Sequence, residues 1–125
     1  MIENKRKILL IEDDPLLVKM YMAKFETEGF EVKSAEDGEE GLKMALMGWA
    51  DIILLDIMMP KLSGTDMLSK LRQDQKGKDI PVLVLSNLSQ QEEAKRALSL
   101  GVKEYLIKAD YTPSQIVDKI KKYLN

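Results

Sequence analysis

The sequence contains no cysteine and no histidine. Without cysteine there is no disulfide framework and no thiolate chemistry. Without histidine there is no imidazole metal site, no Ser-His triad and no phosphohistidine formed on this chain. A strong charge of one sign is also missing. The 19 basic and 21 acidic residues leave a net charge of -2, which gives no reason to expect direct nucleic-acid binding. Long apolar runs are absent near the N-terminus, where only Ile8 to Ile11 are consecutively apolar. A signal peptide needs more, and a membrane span needs about 20 residues. A cytoplasmic protein without membrane contact is expected. No Gly/Ser linker, repeat or low-complexity tract divides the chain. Its 125 residues, 45% hydrophobic and 32% charged, suit one globular domain over 1–125.

Short apolar runs alternate with amphipathic stretches five times. Ile8–Ile11, Ile52–Leu55 and Val82–Leu85 are apolar throughout, as strands buried on both faces are. Phe30–Val32 and Tyr105–Ile107 make two shorter strands. The stretches between carry helix signals. Asp14-Pro15 opens the first helix and Gly29 stops it. Asp37 with Glu40, Ser89 with Glu92 and Thr112-Pro113 with Gln115 form capping patterns, and Ser63-Gly64 opens the third helix. Strands alternating with helices imply a parallel α/β sheet covered on both faces, with the strand order left open.

In such a sheet, ligands bind beyond the carboxyl ends of the strands. Glu12, Asp13 and Asp14 follow the first strand, Asp56 the third, Ser86 the fourth and Lys108 the fifth. Converging carboxylates repel one another unless a cation lies among them. Oxygen ligands alone point to a hard divalent ion, Mg²⁺ or Mn²⁺. A hydroxyl and an ammonium nearby would hold phosphoryl oxygens, and a carboxylate can accept the phosphoryl group. Taken singly, each residue has a plainer reading: Asp14 as a helix cap, Ser86 as a turn residue, Lys108 as a solvated loop residue. Together the four strand ends read as a metal-assisted aspartyl-phosphate site.

Four segments carry a family resemblance. Ile8-Leu-Leu-Ile-Glu-Asp-Asp-Pro15 resembles the opening of response-regulator receiver domains, and Asp56-Ile-Met-Met-Pro60-Lys-Leu-Ser-Gly64 resembles their phosphorylation motif. Val82–Ser86 and Tyr105–Lys108 resemble the switch-hydroxyl and switch-aromatic segments. The resemblance spans essentially the whole chain. It implies a flavodoxin-like (βα)5 fold with strand order 2-1-3-4-5. It further implies that Asp56 is the phosphoacceptor, that Asp13 binds Mg²⁺ directly and Glu12 through water, and that Met58 offers its backbone carbonyl. Ser86 and Lys108 would hold the phosphoryl group, and Tyr105 would turn inward as the Ser86 loop moves. The donor would be a phosphohistidine on a histidine kinase or phosphotransfer protein. The output surface would be the fourth helix, fifth strand and fifth helix, about residues 89–125, presented to a downstream protein by a monomer or an activation-dependent dimer. The chain would be a stand-alone phosphoacceptor with self-catalysed transfer rather than an enzyme, with no output domain.

Three features depart from the family pattern. Ala109 stands where a proline usually follows the lysine. A trans Lys108-Ala109 bond is expected, because a cis bond before a non-proline residue costs about 2.5–4 kcal/mol. Asn87 replaces a smaller residue beside the phosphoryl position. Met58 and Leu88 are apolar at positions that flank the attacking water, which predicts slow self-dephosphorylation. The competing reading is a pseudo-receiver that is never phosphorylated and acts as a constitutive interaction module. A flavin protein would want a Ser/Thr/Gly-rich loop after the first strand, and a haloacid-dehalogenase-type phosphatase would want a second Asp two residues after the first. Glu12-Asp13-Asp14-Pro15 offers neither.

Overall fold

The computed structural model describes residues 5–87 and 91–124. Five strands, β1 (Lys7–Ile11), β2 (Glu31–Ala35), β3 (Ile52–Leu55), β4 (Val82–Ser86) and β5 (Glu104–Ile107), alternate with five helices, α1 (Pro15–Thr27), α2 (Gly38–Ala45), α3 (Gly64–Gln73), α4 (Gln91–Ser99) and α5 (Pro113–Leu124). All strand pairs are parallel, in the order β2-β1-β3-β4-β5, as the family resemblance implies.

The uninterrupted apolar runs do become the central strands. Side chains alternate across a strand, so each run feeds two cores. Ile8, Leu10, Ile52, Leu54, Leu83, Leu85 and Leu106 face α1 and α5, meeting Tyr21, Phe25, Ile116, Val117 and Ile120. Leu9, Ile11, Ile53, Leu55, Val82 and Val84 face α2, α3 and α4, meeting Ala45, Met67, Leu68, Leu71 and Ala97. Burying one such side chain is worth about 1.5–3 kcal/mol against leaving it in water.

The caps form as the sequence predicts. Asp14 Oδ1 accepts from Leu16 N at 2.9 Å, Asp37 Oδ1 from Glu40 N at 2.8 Å and Ser63 Oγ from Asp66 N at 3.1 Å. Thr112 and Gln115 cap α5 reciprocally, at 3.2 and 2.8 Å. Gly29 and Gly101 end α1 and α4 with φ of +93° and +80°, a conformation glycine adopts without a steric penalty. The Ser89–Glu92 cap falls partly outside the described residues, as does Leu88.

Two boundaries differ from expectation. β2 runs to Ala35 rather than Val32. It is an edge strand, so its outer residues are polar and Lys33-Ser34 reads as loop chemistry, yet the backbone still pairs with β1 through Ile11 and Ala35. The chain after β5 folds into a 3₁₀ turn, Lys108–Asp110. The described residues contain no cis peptide bond, as expected for Ala109. None of the described helices is long and apolar enough to cross a membrane.

Candidate functional site

Strand register builds the site. Ile11 pairs with Ala35 on one side and Leu55 on the other. The ladder runs one step further: Glu12 N donates to Ala35 O at 3.0 Å, and Asp56 N donates to Ile11 O at 3.0 Å. Glu12 and Asp56 therefore leave the sheet side by side. Pairing of Ser86 with Ile107 brings Lys108 to the same edge.

Glu12 and Asp56 are 3% and 7% exposed, and Ser86 is fully buried. Lys108 Nζ lies 2.6 Å from Glu12 Oε1 and 3.1 Å from Asp56 Oδ2. The other oxygens are held by backbone. Glu12 Oε2 accepts from Asp13 N and Asp14 N at 3.0 and 3.1 Å, and Asp56 Oδ1 accepts from Met58 N at 3.1 Å. Carboxylate oxygens of Glu12, Asp13 and Asp56 lie within 4.8 Å of one another.

Charge is unevenly balanced here. Burial opposes the charge on Lys108, but the contact with Glu12 and the Asp56 carboxylate outweigh it and raise its pKa. Desolvation raises the pKa of Asp13, and the adjoining Glu12 carboxyl raises it further. One ammonium thus faces three carboxyl groups, and the exposed Asp13 has the weakest claim on it. An oxygen-only set of this kind, open at Asp13, fits a hard divalent cation that keeps part of its water.

The loop that follows Asp56 is shaped by close approach. A Cβ at Gly64 would lie 2.5 Å from the Asp56 carbonyl oxygen, so only glycine lets α3 start there. Gly64 N donates to Ile57 O at 2.8 Å, closing the loop. Lys61 turns it with φ of +66°, and its Nζ lies 3.6 Å from Asp37 Oδ2.

The other predicted residues fall around this centre. Met58 lends its N–H to Asp56, while its side chain is 60% exposed. Asn87 is exposed. Tyr105 is half-buried against the core that α2, α3 and α4 cover, within reach of Ser86. Burial raises its pKa, the Ser86 bond lowers it, and the Glu93 and Asp56 carboxylates raise it again. Sequence reading missed Glu93 altogether. Its only signal is a place on the helix after Ser86, which spacing does not distinguish from solvated positions. Two α5 lysines are engaged in ion pairs: Lys119 Nζ meets Glu104 Oε1 at 2.8 Å, and Lys121 Nζ meets Glu28 Oε1 at 3.1 Å.

A doubly wound parallel sheet with an acidic triad, a buried hydroxyl and a lysine at its carboxyl edge defines a class of phosphate-handling α/β proteins. Within that class, the sequence profile of the response regulator receiver domain matches residues 8–121. The chain belongs to this receiver family and so to two-component signalling. The DNA-binding dual master transcriptional regulator RpaA of Synechocystis is 36% identical over 102 residues, 82% of this chain and 42% of that protein. The phosphate regulon regulator PhoB of Escherichia coli is 33% identical over 93% of this chain and 50% of its own length. The chain thus spans half or less of these two curated relatives. A CheY-like receiver domain from Methanospirillum hungatei superposes with a TM-score of 0.89 at 26% identity, over 97% of this chain and 94% of that one.

Proposed function

We propose that this chain accepts a phosphoryl group on Asp56 from a phosphohistidine of a histidine kinase or phosphotransfer protein, and passes the signal on by changing a protein-binding surface. The observation that carries the reading is the Lys108 ammonium bridging Asp56 and Glu12, with Asp13 beside them. A pure interaction module has no use for three carboxyl groups crowded around one cation at a strand edge.

A carboxylate oxygen of Asp56 attacks phosphorus. The new P–O bond forms as the P–N bond breaks, and its electron pair returns to the donor imidazole. Asp13 and Asp56 would hold Mg²⁺ directly and Glu12 through water, with the Met58 carbonyl as a further ligand. Bound Mg²⁺ would neutralise phosphoryl charge and orient its oxygens. Lys108 pairs with a phosphoryl oxygen once Asp56 carries the phosphoryl group as an acyl phosphate. Ser86 donates its hydroxyl to another, with Tyr105 behind it. Positioning and charge neutralisation do the work, and Asp56 is consumed once per cycle as an acceptor rather than turning over a substrate. Hydrolysis returns the carboxylate when a water oxygen attacks phosphorus and the aspartyl P–O bond breaks. The apolar Met58 narrows that approach and slows it. Output runs through α4, β5 and α5 to a downstream protein.

Incubation with Mg²⁺ and acetyl phosphate, followed by intact mass, tests the reading. One added phosphate is expected, absent in Asp56→Asn and absent without metal. No gain in the wild-type chain would favour the non-phosphorylated module instead.

A further inference from the structure

Among the described helices α4 is attached in its own way. It buries only Ala97, and its Leu98 is 50% exposed. Beside the small apolar contribution of Ala97, two polar contacts tie it to α3. The buried Thr65 donates its hydroxyl to Glu93 Oε2 at 2.8 Å, and Arg96 NH2 lies 3.3 Å from Asp66 Oδ1. Both α3 partners directly follow Gly64, which is pressed against the Asp56 backbone. The tethers therefore run from the start of α3, at the phosphorylation loop, to α4. A crevice of about 500 Å³ passes between them, with Asp13 and Met58 among its walls and Thr65, Glu93 and Arg96 as others.

We propose that Thr65–Glu93 and Asp66–Arg96 form a latch that holds α4 in its resting position and sets how readily the chain switches. The inference rests on Asp56 being the phosphoacceptor. Ser86 ends β4, the strand that leads toward α4, and is fully buried. A phosphoryl group that draws the Ser86 hydroxyl toward Asp56 loads α4 through that strand. Little apolar area opposes its movement, so the polar contacts carry the resistance. A ligand shifts such an equilibrium by its differential affinity, and weakening the resting state raises its apparent affinity by the same factor. The two contacts are unequal. A hydroxyl on a carboxylate, with the donor buried, is a charge-assisted bond. The Asp66–Arg96 pair is more than half exposed and screened.

The test titrates beryllofluoride with Mg²⁺ into wild-type protein, Thr65→Val, Glu93→Ala, Asp66→Asn and, as a polar change on α3 outside the latch, Gln73→Ala. Heat of binding gives the apparent Kd, and circular dichroism checks folding. Thr65→Val and Glu93→Ala are expected to bind about five-fold more tightly. Asp66→Asn should gain about two-fold at most, and Gln73→Ala should match the wild type. If Thr65→Val does not fold, Glu93→Ala decides, since it alters the same contact from the exposed helix. Unchanged or weaker binding in the folded members of that pair overturns the latch, as does equal tightening in Gln73→Ala. Failure of the wild-type chain to bind beryllofluoride would remove the phosphoacceptor reading, and the latch with it.

Discussion

Helices α4 and α5 both border β5, yet they are fastened by different physics. α5 buries Ile116, Val117, Ile120 and Leu124 against α1 and the sheet. Among its described residues α4 fully buries one methyl group, at Ala97, and adds a hydrogen bond and an ion pair to α3. Apolar burial is non-directional and resists any separation, whereas a hydrogen bond is lost with a small shift and regained in another register. A fold that must keep its site rigid while one element moves is well served by this asymmetry. The site lies where the two regimes meet: the carboxylates stand on the strands, and Ser86 ends the strand that leads toward α4.

The largest expected effect is on the anchored side. Ile120→Ala removes a fully buried side chain from the α1/α5 core and should cost about 2–5 kcal/mol, read as a lower urea midpoint with an unchanged slope. If that loss proves no greater than for changes in α4, the contrast between the helices is wrong.

Next in size is the tie at the far end of α4. Arg72, half-buried, donates Nε to Leu100 O at 2.7 Å, NH1 to Gly77 O at 2.9 Å and to Ile80 O at 2.8 Å, and NH2 to Gly101 O at 3.2 Å. One guanidinium thus joins the α3–β4 and α4–β5 connections. Arg72→Met keeps the stem and strands those carbonyls, at about 1–3 kcal/mol. Amide exchange should show the loss concentrated in α4, and a uniform increase across α5 would contradict the assignment of Arg72 to the polar-tethered region.

The sequence revealed the two regimes unequally. Apolar runs such as Ile52–Leu55 mark buried strands because no other environment tolerates them, and Asp56, Ser86 and Lys108 stood out by following such runs. Gly64 stood out as the end of the motif that begins at Asp56, but its close approach to the Asp56 backbone appears only in the fold. What stayed hidden were pairings between distant polar residues. Thr65 and Glu93, 28 positions apart, are each ordinary helix residues, and only the packing of α3 beside α4 makes them partners. Lys33-Ser34-Ala35 and the left-handed Lys61 were missed for a related reason. An edge strand and a loop turn take their conformation from neighbours rather than from their own composition. Tyr105 was read as a switch residue through the family resemblance alone, because no pattern encodes which rotamer an aromatic takes.

The smallest effect sharpens the comparison by asking whether α5 carries a polar fastening of its own. Glu104 on β5 accepts from Lys119 Nζ at 2.8 Å and from Tyr123 hydroxyl at 2.6 Å, both on α5. Burial alone would raise its pKa, but these two bonds outweigh it and hold the carboxyl below its usual range. A folded-state pKa below the unfolded one contributes stability that is present above the unfolded value and lost as pH falls through the folded value. Glu104→Gln keeps the shape and removes the charge. It should therefore melt about 2 °C lower than wild type at neutral pH, a modest shift because the pair is partly solvated. The gap should close as pH falls past the depressed carboxylate range. Because the apolar face of α5 bears its attachment, the variant should leave α5 amide protection intact. Loss of that protection would mean that α5, like α4, depends on its polar contacts, and the distinction between the two helices would fail.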